Sequence, residues 1–346
     1  MLFRSFCKTV YRFFCGCQTL GRLFFPEKLG KFFSDNPFSR LLPAVFVFIF
    51  AAVFVPVFGS FFLFLLPMIL FLNASVNGAA RTSLVFFFSF LLLLILAILL
   101  DLDVPAFSVF TLGAAGLFMA QIASKNYSAE KTILYPSLFV IGAVCFYFIY
   151  DAIALGTDPW QLVKNYIAAT GAEFVKQYSQ LPLGQENIDL VKNNEKEMVS
   201  GFIQIFPSLV VIMSTVTVWL NFLLGKNYLA KAGLAYPKLS FLAGWKAPDH
   251  LIWLFIISGG LFFLPQKDIN FLSLNVFLVV CLLYFLQGMA VASFLFQVKN
   301  VPVFFRSLFY FLIAVQQLLV IAITAIGLFD IWVDFRKFIQ KNQTTD

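Results

Sequence analysis

Long apolar runs separated by short polar connections dominate the pattern of this chain. An α-helix needs about 20 mostly apolar residues to cross a hydrocarbon core roughly 30 Å thick, and each run approaches that length. The runs therefore predict membrane-spanning helices. The nine candidates cover residues 41–58, 60–76, 83–100, 104–123, 133–154, 201–224, 250–265, 271–298 and 303–329.

The charges between the runs predict a topology. Because cytoplasmic loops carry an excess of Lys and Arg, Lys125 marks an inner connection, whereas Asp101 marks an outer one. Nine spans that start from a cytoplasmic N-terminus would leave Arg336 outside, against this rule. We therefore favour eight crossings over nine. The weakest candidates are the Pro-interrupted pair 41–76 and the short run 250–265.

One long connection, residues 155–200, has a water-facing composition, with six acidic and four basic residues. Its first part carries an apolar stripe at helical spacing through Trp160, Val163, Ile167 and Phe174. This pattern predicts an extracytoplasmic amphipathic helix that lies on the outer membrane surface or caps a cavity. A solvated connection without further function fits the same pattern.

The composition supports immersion in a lipid bilayer. Of 346 residues, 61% are apolar and only 12% are charged, which a globular water-facing surface cannot accommodate. We therefore predict an all-α, polytopic transmembrane helix bundle. The net charge of +7 lies in short loops between the runs, as the orientation rule expects, so nucleic acid is not an expected partner.

The two ends of the chain differ from its middle. Residues 1–40 carry seven basic and two acidic residues with Phe and Leu interleaved, which predicts a cytoplasmic leader lying partly among lipid headgroups. Residues 41–337 form the predicted transmembrane domain, and residues 338–346 form a polar tail.

The motifs of common enzymes are missing from the sequence. His250 is the single imidazole, so a multi-histidine metal site cannot be built. Neither a phosphate-binding G-x-x-x-x-G-K-[ST] loop nor a dinucleotide-binding G-x-G-x-x-G motif occurs. We expect no enzymatic activity, no metal and no cofactor, and any active transport would draw its energy from a gradient or a partner.

Polar side chains inside the apolar runs are the candidates for a ligand site. An amide or carboxylate in hydrocarbon is costly unless it faces a partner, a cavity or a substrate. Such amides equally serve to tie neighbouring helices together. The candidate ligand-binding residues are Gln287, Gln316, Gln317, Asn275 and Asp151.

Two patterns in the second half concern helix packing. Gly288 and Ala292 have the four-residue spacing of small side chains that lets two helices approach closely. In the closing segment, Asp330 and Asp334 share one face of a continuous helix. Arg336 is not an ideal i+4 partner of either carboxylate on that helix.

Four segments of the second half together resemble a known family: residues 206–221, 244–250, 275–288 and 327–336. They resemble the YybS-like family of bacterial predicted membrane proteins, a domain of unknown function, over roughly residues 40–337. That family is similar in its helical plan to the substrate-binding S components of energy-coupling-factor transporters, which bind vitamins or metal ions and depend on separate ATPase subunits. The resemblance implies a multi-pass protein of a bacterial inner membrane with a small-molecule ligand and membrane or ATPase partner subunits. It carries over no ligand-binding residue.

Two functions follow as hypotheses. The favoured one is a small-molecule transporter or substrate-binding membrane subunit, with a cavity lined by the buried amides. The alternative is a non-transporting scaffold or assembly factor that holds partners through the leader, the loop 225–249 and the outer segment. A membrane-embedded enzyme acting on lipid is disfavoured because His, Asp and Glu do not cluster in the sequence.

Overall fold

The computed structural model describes residue 49 and residues 59–101, 104–180, 185–231 and 242–337. Within these ranges the regular structure is helical without a strand, which confirms the predicted all-α class. The predicted leader, most of the first apolar run and the polar tail lie outside the described residues. The α-helices are α1 (Gly59–Asn77), α2 (Ala79–Leu99), α3 (Ala106–Ser124), α4 (Ala129–Leu155), α5 (Pro159–Tyr178), α6 (Gln185–Asn193), α7 (Glu195–Lys231), α8 (Leu251–Leu261), α9 (Lys267–Val298), α10 (Val303–Val315) and α11 (Gln317–Val333).

Every apolar run from residue 60 onward contains a helix in the structure. Among the described residues, α2, α3, α4, α7 and α9 are long and apolar enough to cross a membrane. The bent pair α10 and α11 would make a sixth span, whereas α8 and the apolar part of α1 are shorter. The predicted helix bundle is therefore confirmed. Eight crossings would require two more spans from α8, the apolar part of α1 and the run 41–58, which lies mostly outside the described residues.

The last apolar run is not the single helix that its composition predicts. It breaks at Gln316, whose backbone is extended at φ −102° and ψ 106°, and the helix axes on either side differ by 109°. A bend of this size in one apolar stretch is typical of a broken span or a re-entrant loop. Hydropathy does not reveal the break, because both halves are apolar and no Pro or Gly marks it.

The chain divides into two compact units, of which the first ends at Ser124. In its described part, α1, α2 and α3 pack around a core that includes Leu66, Leu70, Phe86 and Val109. The backbone of α1 lies directly against Gly116 of α3. A Cβ atom at that position would lie 2.8 Å from the Pro67 Cα atom, so only glycine permits this approach.

The second unit begins at Lys125 and contains α4 to α11. Helix α5 confirms the helix predicted at the start of the connection 155–200. It begins where the Asp158 carboxylate accepts a hydrogen bond of 3.0 Å from the Gln161 N–H, with Pro159 in the first helical turn. Val163 on its apolar stripe is buried, and Trp160 packs edge-on against Phe271 of α9.

Close contact between α9 and α11 organises the end of the second unit. A Cβ atom added at Gly288 would collide with the Ile323 carbonyl oxygen, and one added at Gly327 would collide with the Tyr284 carbonyl oxygen. Two glycines on opposite helices thus let the backbones touch, as expected of the small residues predicted at this position. This contact brings Gln287 beside the last turn of α11.

Candidate functional site

A buried carboxylate lies at the end of α11. Asp330 is 1% exposed, and its Oδ2 atom accepts a hydrogen bond of 3.0 Å from Gln287 Nε2. Arg336 Nη2 lies 3.4 Å from the same oxygen, and the Phe335 N–H donates to Oδ1 at 3.1 Å. A buried charge is tolerated when it is paired and its remaining lone pairs are used, and Asp330 meets both conditions.

The pairing of Asp330 with Arg336 depends on the way α11 ends. Asp334 adopts the left-handed conformation at φ 46° and ψ 63°, which ends the helix. Arg336 therefore folds back over the last turn, and its Nη2 atom also donates to the Trp245 carbonyl oxygen at 2.7 Å. The sequence pattern placed Arg336 on a continuous helix, where it is not an ideal i+4 partner of Asp330, and the helix end at Asp334 allows the contact instead.

Gln287 links this carboxylate to the loop that precedes α8. Its Oε1 atom accepts a hydrogen bond of 3.2 Å from the Ala247 N–H, while its amide nitrogen donates to Asp330. The cluster thus joins the loop at Trp245 and Ala247, helix α9 and the end of α11. Within the described part of the chain, the Arg336 Nε and Tyr284 Oη atoms are buried without a hydrogen-bond partner.

The second buried candidate amide, Asn275, hydrogen-bonds to backbone groups of α7 next to Pro207, which interrupts the hydrogen bonding of that helix. Its Oδ1 atom accepts a hydrogen bond of 2.8 Å from the Ser208 N–H, and its Nδ2 atom donates to the Gln204 carbonyl oxygen at 2.9 Å. These backbone groups are i and i−4 partners in a regular helix, next to Pro207, whose ring disrupts that ladder. Asn275 therefore ties α9 to α7.

The other candidates lie apart from this cluster. Gln316 and Gln317 are exposed at the bend between α10 and α11. Asp330 follows Gln317 by thirteen positions on α11, which places the bend roughly 20 Å from the Gln287 contact at about 1.5 Å per residue. Asp151 is half-buried near the end of α4. The structure brings Gln287 together with Asp330 and not with the predicted glutamine pair.

A cleft that the sequence pattern did not reveal opens between α5 and α7. It has a volume of about 330 Å³, and its walls are mainly apolar, including Phe174, Val175, Met198 and Phe202. At its base α5 approaches α7 through Gly171, where a Cβ atom would lie 2.6 Å from Val199 Cγ2. The apolar stripe on α5 was the available signal, but the opposite wall comes from α7, distant in the sequence.

A second, more open cavity of about 450 Å³ adjoins this cleft. Glu195 and Val199 line both cavities. Lys164 of α5 and Lys196 of α7 lie on the walls of the second one. The apolar cleft of about 330 Å³ is called the α5/α7 cleft below.

Several apolar helices of spanning length and a buried, internally paired carboxylate define a polytopic α-helical membrane protein. The chain belongs to the DUF2232 family of predicted membrane proteins, whose family profile matches residues 44–331. No curated protein and no solved structure matches the chain significantly. The similarity to the YybS-like family and to transporter S components was not confirmed by these comparisons.

Proposed function

We propose that this protein is a small-molecule-binding transport subunit of a bacterial inner membrane and that its ligand occupies the α5/α7 cleft. The observation that carries the proposal is the apolar lining of this cleft. Its volume of about 330 Å³ falls within the range of about 300–1,000 Å³ typical of small-molecule sites, which are concave and mostly apolar with a few polar groups. The resemblance to substrate-binding S components favours the same role.

The proposed orientation has a cytoplasmic N-terminus and presents the α5/α7 cleft on the outer side. The basic residues Lys125 and Lys131 before α4 favour this orientation. Membrane-impermeant maleimide should label Lys192→Cys in intact cells and Lys131→Cys only after permeabilisation. The wild-type chain, with its native cysteines, gives the background. The reverse labelling pattern would reject the orientation.

We further propose that the ligand is captured and passed on unchanged, without enzymatic conversion and without a cofactor. Energy for transport then comes from an ion gradient or from a partner such as a separate ATPase subunit. Co-purification from a membrane extract under mild detergent tests the partner. An isolated chain that drives uptake in proteoliposomes under an ion gradient would exclude an ATPase requirement.

Ligand binding is tested by thermal shift on the purified full-length protein, screened against small molecules. A ligand that binds only the folded state stabilises it by about 2.7 kcal/mol at a hundred times its dissociation constant. The variant Thr170→Trp should abolish the shift, because Thr170 lines the cleft and the indole would fill it. The control Ala169→Trp alters the neighbouring exposed position outside the cleft. A shift that survives Thr170→Trp would refute the site.

The scaffold alternative is favoured by one observation. Both buried candidate amides, Asn275 and Gln287, are hydrogen-bonded to groups of the protein itself. If the buried amides serve only to hold the helices together, they do not bind a ligand. The protein would then act by presenting its surfaces to partner proteins. In that case no small molecule gives a shift that Thr170→Trp removes, and deletion of residues 1–35 releases a co-purifying protein.

A further inference from the structure

Helix α10 is apolar on almost every side, yet little of it touches the rest of the protein. Among its residues only Ile313 is buried, whereas Phe304 is 70% exposed, Phe311 63% and Val315 59%. These three residues share one face of the helix, because they follow one another at intervals of seven and four positions. A helix with this much exposed apolar surface is stable only where lipid or another protein covers it.

The direction of α10 follows from the helices on either side of it. Ile323 of α11 lies against Gly288 of α9, and Gly327, one turn further along α11, lies against Tyr284, one turn back along α9. The two helices therefore run antiparallel. The axis of α10 turns by 109° from that of α11, so α10 lies across α9 and not along it. Because α9, with 32 residues, is long enough to span the membrane, a helix across it runs close to the membrane plane.

Arg306 fixes α10 to the end of α9. Its guanidinium donates from Nη2 to the Phe296 carbonyl oxygen at 3.0 Å and from Nε to the Val301 carbonyl oxygen at 2.7 Å. The ring of Phe296 packs edge-on against Phe309, with the centroids 5.0 Å apart. These contacts hold α10 where α9 ends, and the residue that follows α9 is the exposed Lys299. A lysine at the end of a spanning helix marks the level of the lipid headgroups.

Polar residues flank α10 at both ends. Lys299 precedes it, and the exposed amides of Gln316 and Gln317 follow it at the bend. If α10 ran down into the bilayer, its 13 residues would carry these amides about 20 Å below Lys299, near the middle of the hydrocarbon. An exposed amide is costly there. A helix in the membrane plane keeps both of its ends among the headgroups.

We propose that α10 is an in-plane membrane helix whose exposed face, formed by Phe304, Phe311 and Val315, contacts the acyl chains on the side of the membrane where α9 ends. The occupant of this face is lipid, because the exposed apolar surface continues along the chain into α11, where Leu318 is 76% exposed and Ile321 66%. Helix α11 alone then enters the bilayer from this side, and α10 is not the first half of a bent span. This inference is independent of any ligand in the α5/α7 cleft.

Spin labels on the full-length protein in lipid nanodiscs measure the depth of this face, after the five native cysteines are replaced by alanine. Labels on Phe304→Cys and Phe311→Cys should lie at equal depth, accessible to oxygen and shielded from a water-soluble nickel chelate. Seven positions along a spanning helix would separate the labels by about 10 Å. The control pair, Phe146→Cys and Ile153→Cys, is exposed on the spanning helix α4 with the same spacing, and Ile153 lies near its end. Its two labels should differ in depth by about 10 Å.

A second measurement keeps the native cysteines. Phe311→Lys should melt close to the wild type in nanodiscs, because an ammonium group on an in-plane helix reaches the headgroups. Phe146→Lys, which lies within α4 and away from both of its ends, should melt several degrees lower, since a charge deep in the bilayer is costly.

Four outcomes would overturn the in-plane helix. A depth difference of about 10 Å between the two α10 labels, or an equal loss of melting temperature in Phe311→Lys and Phe146→Lys, would place α10 in a span. Labels accessible to the nickel chelate would place the face in water. Dipolar broadening that disappears when unlabelled protein is added before reconstitution would assign the surface to a second copy of this chain.

Discussion

Arg336 Nη2 lies 3.4 Å from Asp330 Oδ2, although six positions separate the two residues. Helix α11 ends between them at Asp334, so the guanidinium returns to the carboxylate at the base of the last turn. Asp330 is fully buried, and the Arg336 side chain is only 14% exposed. The pair and Gln287 hold the loop before α8 against α9 and α11, which makes the cluster a structural anchor of the second unit.

Breaking this pair on one side should destabilise the protein strongly. Arg336→Met leaves the Asp330 carboxylate buried without its counter-charge, and removal of one partner from a buried pair costs about 3–5 kcal/mol. The double variant Asp330→Asn with Arg336→Met removes both charges and should recover part of that loss. The measurement is the free energy of unfolding of the four proteins in detergent. Additive single effects would show that the two charges do not interact.

Alanine at either interhelical glycine should weaken the contact between α9 and α11. The new methyl group of Gly288→Ala or Gly327→Ala collides with a backbone carbonyl on the opposite helix, which has little freedom to move. Overpacking of this kind costs about 1–3 kcal/mol. Gly260→Ala in α8 is the control, because a Cβ atom there meets nothing within 4 Å. Melting temperatures equal to that of the control would contradict the predicted collision.

The contribution of Asn275 should depend on Pro207. Asn275→Leu removes the hydrogen bonds to Ser208 N–H and the Gln204 carbonyl oxygen, and interhelical hydrogen bonds in membranes contribute about 0.6 kcal/mol on average and up to about 1.7. In a Pro207→Ala background, α7 can form its own backbone hydrogen bonds at this turn. Asn275→Leu should therefore lower the free energy of unfolding by less. A thermal-unfolding cycle over the four proteins measures the difference. An equal loss of unfolding free energy in both backgrounds would show that Asn275 does not substitute for the hydrogen bonding that Pro207 interrupts.

The surface pair of Asp334 and Lys337 should give a small dependence of stability on pH. A side-chain hydrogen bond from Lys337, whose Nζ lies 2.8 Å from Asp334 Oδ2, lowers the pKa of the Asp334 carboxyl below its ordinary value of 3.8. A lowered folded-state pKa contributes stability above the unfolded-state pKa, and this stability is lost as the pH falls through the folded-state pKa.

The variant Asp334→Asn removes the charge and keeps a residue that tolerates the left-handed conformation. At neutral pH it should unfold more easily than the wild type by less than about 1 kcal/mol, as expected of an exposed pair. The difference should shrink as the pH falls past 3.8 and disappear below the lowered folded-state pKa, where the wild-type carboxyl is also protonated. Melting curves from about pH 2 to pH 7 provide the measurement. A difference that is constant across this range would assign the effect to backbone conformation instead.

The sequence predicted those features that depend on local composition. Apolar stretches of spanning length gave the helices, because in lipid the backbone must satisfy its hydrogen bonds within each helix. The apolar stripe that includes Trp160 and Val163 predicted helix α5. Small residues at Gly288 indicated a close helix contact, although the pattern did not identify α11 as the partner.

The tertiary structure decided everything that depends on residues distant in the sequence. Asn275, Gln287 and Gln316 are all polar amides inside apolar runs, so the sequence pattern does not distinguish them. Two of these amides are buried against other helices, and the third is exposed at a bend. The left-handed conformation of one residue, Asp334, brings Arg336 to Asp330. Helical spacing in the sequence cannot predict this contact, because the helix ends between the two residues. Side-chain chemistry determines what a residue can do in lipid. Its partner is determined by the path of the backbone, which packing of the whole chain fixes.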